Sequence, residues 1–239
     1  NYAYTLKNAA KIFNWLGYKE KANRYRIQSR KYAEIVRKLC FNEERGIYAD
    51  DPEHTFFDQR AGILAVLCDA HSEEESKKLM KQVLSTNTKF DSKANLFYYF
   101  YLFEAMQKTG VGNFTEQLSP WIAMLELGMS GTPEKRVEQH PRSEIHPWTA
   151  HPVHYYFEVV AGIKPTSQGF KSVEIAPNPG DLKTINASYP TIQGIIGMTL
   201  SGDKDGRLTG DIHLPAGMHG NLLWKGKKQP LVPGINKLE

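Results

Sequence analysis

GMSGTPEKRVEQHPRSEIHPWTAHPVHYYFEVVAGI, residues 128 to 163, separates two parts of the chain that obey different periodicities. Before it, apolar residues recur at helical spacing. The first run reads Tyr2, Leu6, Ala9, Ala10, Phe13, Leu16 and stops at Gly17. A second, Lys19 to Cys40, carries Ala22, Tyr25, Ile27, Tyr32, Ile35, Val36 and Leu39 in a charged background, which predicts a basic solvent face. Phe56 to Ala70 is apolar almost all round and predicts an inner helix. Ser72 with Glu75 three residues on is a capping box opening an outer helix, Glu73 to about Leu84. Lys93 to Lys108 holds eight consecutive apolar residues, Leu96 to Phe103, and needs to be surrounded. Asn113 to Leu127 and the short Pro152 to Ala161 complete the helices.

Helices alternating between apolar-all-round and amphipathic predict an inner ring wrapped by an outer one, the (α/α) toroid. About six helices precede the polar loop and one follows it. A closed ring of six hairpins needs roughly twelve, so the pattern predicts half a barrel. A self-contained α-solenoid is the alternative, but no motif repeats at a fixed period.

After Ile163 the helical period disappears and two-residue alternation replaces it. Strands are predicted at Lys171 to Ala176, Ile185 to Tyr189, Ile195 to Ser201, Arg207 to Leu214 and from Asn221 to Trp224, with an Asp-Gly type turn at Asp203 to Gly206. The predicted fold is therefore α+β and multidomain: residues 1–163 as the second half of an (α/α)6 barrel and residues 164–239 as a small antiparallel β-sandwich.

The bulk numbers exclude little. With 239 residues, 41% of them hydrophobic, a packed core is expected. The formal charge of +4 is spread along the chain, so nucleic acid is not implied as a partner. No apolar run approaches membrane-spanning length and no signal-peptide pattern is present, so no membrane partner is implied. Cys40 and Cys68 are read as core thiols and fix no compartment. Asn1 opens directly into a helical pattern without a start Met, which is read as a chain cut from a longer protein.

Chemistry is expected in the polar loop. Gly128 to Pro152 holds three carboxylates, three His and a Trp, the kind of loop in which functional groups stand on a rigid scaffold. His140, His146 and His151 match no metal-ligand spacing and no HExxH occurs, so no metal or other cofactor is expected. No GxSxG is present for a serine hydrolase. Carboxylate chemistry fits better: a Glu near Trp and His can activate water while the ring packs on a sugar face. The residues alone leave Glu134, Glu138 and Glu144 equally open to being solvated loop charges.

The ordered motifs add more. Gly128-Met-Ser-Gly-Thr-Pro-Glu134 and Arg142-Ser-Glu-Ile-His-Pro-Trp-Thr-Ala-His-Pro152 resemble the late-barrel signature of the α-L-rhamnosidases, in which Gly-x-Thr-Thr-Trp-x-Glu precedes Arg-Ser-Asp-Cys-His-Ala-Trp-Ser-Ala and the last barrel helix. Val160 to Pro165, Gly169 to Pro177, Gly180 to Leu182 and Ile212 to Gly217 are similar to that family's passage into its C-terminal β-domain. Gly46 to Asp50 and Asp58-Gln-Arg-Ala61 fit the preceding inner-helix hairpin, so the resemblance covers essentially the whole chain.

The resemblance implies a glycoside hydrolase that cleaves terminal α-L-rhamnosides with inversion, acting on a rhamnose-containing oligosaccharide or glycoside. It implies Glu134 as the general base, His146 and Trp148 as sugar-binding residues, and the aromatic run Phe97 to Tyr101, Tyr98 included, as part of the inner wall. The general acid belongs to an acidic cluster in the N-terminal half of the same polypeptide, so this chain alone is expected to be inactive. Thr132 stands where the family has Trp and Pro147 where Ala is common. The stretch between Glu134 and Arg142 also differs in length, which makes Glu138 a rival for the base. The alternatives are a non-catalytic carbohydrate-binding or assembly module, and another (α/α) barrel glycosidase or phosphorylase.

Overall fold

A computed structural model describes residues 1–139, 143–203 and 206–239. His140, Arg142 and the centre of the expected Asp203–Gly206 turn lie outside the described residues. The chain is α+β and forms two units, Asn1–Ala150 and His151–Glu239.

In the first unit, α1 (Tyr2–Trp15) and α2 (Lys19–Cys40) pack together, pinned where buried Ser29 donates its hydroxyl proton to the Ala3 carbonyl at 2.7 Å. A two-rung hairpin, β1 (Phe41–Asn42) with β2 (Ile47–Tyr48), leads to α3 (Gln59–Leu67). That helix starts later than its apolar pattern because Asp58 caps it, accepting from the Arg60 amide at 2.9 Å. α4 (Glu73–Leu84) begins at the expected capping box, with Ser72 and Glu75 bonded reciprocally. It lies close against α3: a Cβ on Gly62 would sit 2.9 Å from Val83 Cγ2.

The aromatic run starts with a 3₁₀ turn, Leu96–Tyr98, because the Asn95 side chain accepts from the Tyr98 amide. α5 (Tyr99–Thr109) follows, and its inner side buries Tyr99, Leu102, Phe103, Ala105 and Met106. The expected Asn113 to Leu127 helix is likewise divided, into a 3₁₀ turn Thr115–Leu118 and α6 (Ser119–Glu126), with Pro120 at the junction where a missing amide costs nothing. Ile63, Val66, Leu67, Leu79, Met80, Leu102 and Phe103 form the buried centre, each removal from water stabilising by about 1.5–3 kcal/mol. α2 is not only basic on its outer side, since Ile27, Ile35, Val36 and Leu39 are 40–58% exposed.

The second unit opens with α7 (Pro152–Tyr155), which continues as a π-type turn, Tyr156–Val160. Eight strands follow: β3 (Ile163–Pro165), β4 (Ser172–Ile175), β5 (Thr184–Thr191), β6 (Gly194–Gly202), β7 (Leu208–Leu214), β8 (His219–Trp224), β9 (Lys227–Leu231) and β10 (Gly234–Leu238). They form two four-stranded sheets, ordered β10-β7-β6-β5 and β3-β4-β8-β9. Every pairing in them is antiparallel except β4–β8, which is parallel. A parallel pair needs a long crossover, and here the intervening chain builds most of the other sheet. Along β6, Ile196, Met198 and Leu200 are buried and Thr199 and Ser201 exposed, the alternation read from the sequence.

This unit begins at His151, ahead of the expected boundary at 163/164, because the short helix packs on the β-strands. Phe157 lies 5.2 Å from Tyr189, and the Asn178 amide donates to the carbonyls of Val159 and Val160. Among the described residues no helix is long and apolar enough to cross a membrane.

Candidate functional site

The polar loop after α6 is folded back on itself by its own backbone. The Glu134 amide donates to the Ser143 carbonyl at 2.9 Å and the His146 amide to the Thr132 carbonyl at 2.7 Å. These two rungs hold Glu134 beside the segment that carries His146 and Trp148. At the end of the loop the fully buried Thr149 hydroxyl lies 2.8 Å from the His146 carbonyl, 2.9 Å from that of Pro133 and 3.3 Å from that of Thr132. The Thr149 carbonyl in turn accepts from the Trp121 indole of α6 at 2.7 Å, so the loop is tied to its helix. Arg136 donates to the Tyr99 hydroxyl at 2.6 Å, fixing the chain just past Glu134 against α5.

Rings connect the expected sugar-binding residues. His146 lies edge-on to Trp148 at 5.8 Å, Trp148 meets Phe97 at 5.5 Å, and Phe97 meets Tyr98 at 6.3 Å and Tyr101 at 6.1 Å. Trp148 remains 68% exposed, so its face is open to a ligand. Glu134 and His146 are half-buried. Glu138 is different: it is exposed on the 3₁₀ turn Val137–Gln139, and its carboxylate has no hydrogen-bond or ion-pair partner among the described residues. Tyr98 has its phenol pushed up to about 12 by burial, so the hydroxyl is neutral at any physiological pH.

A charged pair stands on the far side of Tyr98. Asp58, with a side chain only 3% exposed, binds Arg60 through Nε at 2.9 and 2.8 Å and also through Nη2. The carboxylate holds the guanidinium charged, and Arg60 lies over the Tyr98 ring at 5.9 Å. The Tyr98 hydroxyl donates to Asn1 Oδ1 at 3.3 Å. A cavity of about 530 Å³ opens here, lined by Asn1, Tyr48, Asp50, Asp58, Arg60 and Tyr98 among others.

Sequence reasoning missed three of these features. Asp58 and Arg60 were legible only as part of a hairpin motif, although an Asp followed two residues on by Arg at a helix start is a capping signal with a built-in ion pair. Thr149 and Arg136 left no signal, because their partners are distant in sequence. Among the described residues no group of three or more His, Cys, Asp or Glu is placed to hold a metal ion.

Comparison with known proteins finds similarity of two kinds. Residues 162–237 match the model of the bacterial alpha-L-rhamnosidase C-terminal domain. No curated protein sequence matches the chain. Among solved structures, the α-L-rhamnosidase of Aspergillus terreus superposes with a TM-score of 0.79 at 17% identity, covering 98% of this chain and 29% of that one. The GH78 family rhamnosidase of Bacillus sp. GL1 gives 0.80 at 21% identity over 92% of this chain and 25% of its own. The α-L-rhamnosidase of Streptomyces avermitilis, solved with L-rhamnose, gives 0.70 at 14% over 92% of this chain and 22% of its own. This chain thus spans between 22% and 29% of the length of these three proteins. The resemblance of the chain to the α-L-rhamnosidases is therefore shown at two levels, as a family match over residues 162–237 and as a shared fold over nearly its whole length.

Proposed function

We propose that the chain is the C-terminal part of an α-L-rhamnosidase that hydrolyses terminal α-L-rhamnosides with inversion, with Glu134 as the general base. In this reading residues 1–163 are the second half of an (α/α)6 toroid and residues 164–239 are its β-sandwich domain. The exposed apolar residues of α2 support the first assignment, since an outer face of this kind is covered when neighbouring helices complete a ring. The family match beginning at residue 162 supports the second.

An inverting glycosidase needs two carboxyl groups, one to protonate the leaving oxygen and one to take a proton from water on the opposite face of the sugar. Glu134 supplies the second. The acid comes from the N-terminal half of the polypeptide, in line with the 22–29% of related chains that this one spans. His146 bonds a sugar hydroxyl, Trp148 packs on the apolar face of the ring, and Tyr98 contributes to the wall. The observation that carries the assignment is the two-rung clamp: it fixes a half-buried Glu134 next to the His146–Trp148 segment, whereas Glu138 stands in solvent.

The test is made in the longer polypeptide with an aryl α-L-rhamnoside. Glu134→Gln lowers kcat by about 10²–10⁴-fold, the range for a lost general base, while Glu138→Gln stays within about threefold of the parent. The reverse order transfers the role to Glu138. The 239-residue chain alone shows no turnover, and measurable hydrolysis by it would show that the acid lies within these residues.

A further inference from the structure

Another cavity, of about 410 Å³, lies between α4 and the β1–β2 hairpin, lined by Phe41, Glu43, His71, Lys78, Lys81 and Gln82 among others. No residue of α1 or α2 lines it, and neither does Glu134, His146 or Trp148. At its floor is His71, with a side chain only 2% exposed. Its Nε2 stands 2.8 Å from the Tyr48 hydroxyl, whereas buried Nδ1 has no hydrogen-bond partner among the described residues. Burial, and then the charge of Arg37, hold the imidazole below its ordinary value, so at neutral pH it carries one N–H. The Glu75 carboxylate, 3.8 Å from Nδ1, can only accept, which places that proton on Nδ1 and leaves the Tyr48 hydroxyl to donate to Nε2. A buried N–H therefore faces the cavity unpaired, a cost that a bound acceptor removes.

We propose that this cavity is a binding site for a neutral polyhydroxylated ligand, a hexose unit, one hydroxyl of which sits between His71 Nδ1 and Glu75 Oε2. The inference is independent of the rhamnosidase reading, since no residue of the cleavage loop takes part. The two atoms are 3.8 Å apart. One oxygen can lie about 2.9 Å from each, a normal hydrogen-bond length. It must accept from the imidazole and donate to the carboxylate, and a hydroxyl does both. A ligand carboxylate would instead meet Glu75, which is ionised, and an ammonium would meet the N–H together with Lys78 and Lys81. The rest of the wall suits further hydroxyls: Glu43 accepts and Lys78 donates, and neither makes a hydrogen bond or ion pair among the described residues. Phe41 and Leu79 supply apolar surface for the carbon face of a ring. The volume suits a ligand rather than one water, since a water occupies about 30 Å³ and small-ligand sites roughly 300–1,000 Å³.

The experiment follows the imidazole signals of His71 by NMR in the 239-residue chain, titrated with methyl glucoside, glucuronate and glucosamine, one ring in three charge states. Methyl glucoside shifts the His71 signals saturably with a Kd of about 1–10 mM, and the two charged sugars bind at least about fivefold more weakly. His71→Gln, whose amide reaches Tyr48 as Nε2 does but leaves no donor at Nδ1, weakens binding by about tenfold or more, read from the ligand by saturation transfer. Glu43→Gln and Lys78→Met alter exposed side chains that the fold does not use, and each weakens binding about threefold. No saturable shift at His71 overturns the proposal. So does binding that stays within twofold of the parent in all three variants, or a charged sugar that binds as tightly as methyl glucoside.

Discussion

Replacing Thr149 by Val removes one hydroxyl from a fully buried position and leaves the shape of the side chain unchanged. The hydroxyl has a single proton, shared between the His146 and Pro133 carbonyls at 2.8 and 2.9 Å. The His146 carbonyl keeps other donors, the Thr149 amide at 3.0 Å and the Thr132 hydroxyl at 3.3 Å. The Pro133 carbonyl has no other hydrogen-bond donor among the described residues. Thr149→Val therefore orphans one buried carbonyl, a cost of about 1–3 kcal/mol. Because the loss falls on the loop rather than on the helical core, it appears as easier local opening. The Glu134 and His146 amides are the two rungs of the clamp, so hydrogen exchange at these positions reads the effect directly. At 1.36 kcal/mol per factor of ten, both should exchange roughly 5- to 150-fold faster, with amides of α4 unchanged. Exchange at both positions within twofold of the parent would mean that Thr149 does not hold the loop, and the argument that the clamp positions Glu134 would fall with it.

Acid should loosen α4 in a defined window. Glu75 is drawn down to about 2, chiefly by the Ser72 amide and then the Ser72 hydroxyl, with Arg37 adding to the effect. A carboxylate depressed in the folded state contributes stability that is full above its ordinary value of 4.5 and is lost as pH falls toward 2. Thermal unfolding of Glu75→Gln should consequently lose less Tm than the parent between pH 5 and about pH 2; parallel curves would remove the capping box from the stability of the unit. In the second unit, Gly162 has φ +72°, and a Cβ there would stand 2.1 Å from the carbonyl carbon and oxygen of Ala176. Gly162→Ala should destabilise by at least about 2 kcal/mol in urea unfolding, since backbone strain and a backbone clash combine, and an unchanged midpoint would contradict the turn.

What could be read from the sequence was local. The Ser72–Glu75 capping box placed α4 to the residue, because both partners lie within one turn. The alternation Ile196, Met198, Leu200 placed β6 and its buried side for the same reason. Helix starts shifted where a polar side chain captured an amide that the apolar pattern cannot anticipate, as Asp58 does at α3 and Asn95 before α5. The parallel β4–β8 pair was illegible, since nothing in either strand specifies a partner across the whole of the other sheet. The candidate site divides in the same way. Glu134, His146 and Trp148 were visible as a motif, while the residues that hold them, Thr149, Trp121 and Arg136, act through contacts distant in sequence.

The second unit threads its last strands into both sheets: β8 joins β4 in one, and β10 closes on β7 in the other. Neither sheet can be completed before β8 to β10 are available, so the unit cannot close strand by strand from its N-terminal side. The five residues of β10 are the piece that covers the outer edge of β7. A polypeptide that stops before Gly234 leaves β7 as an open edge, with unpaired amides and carbonyls along it, ready to be recognised by a chaperone or protease or to pair with another copy.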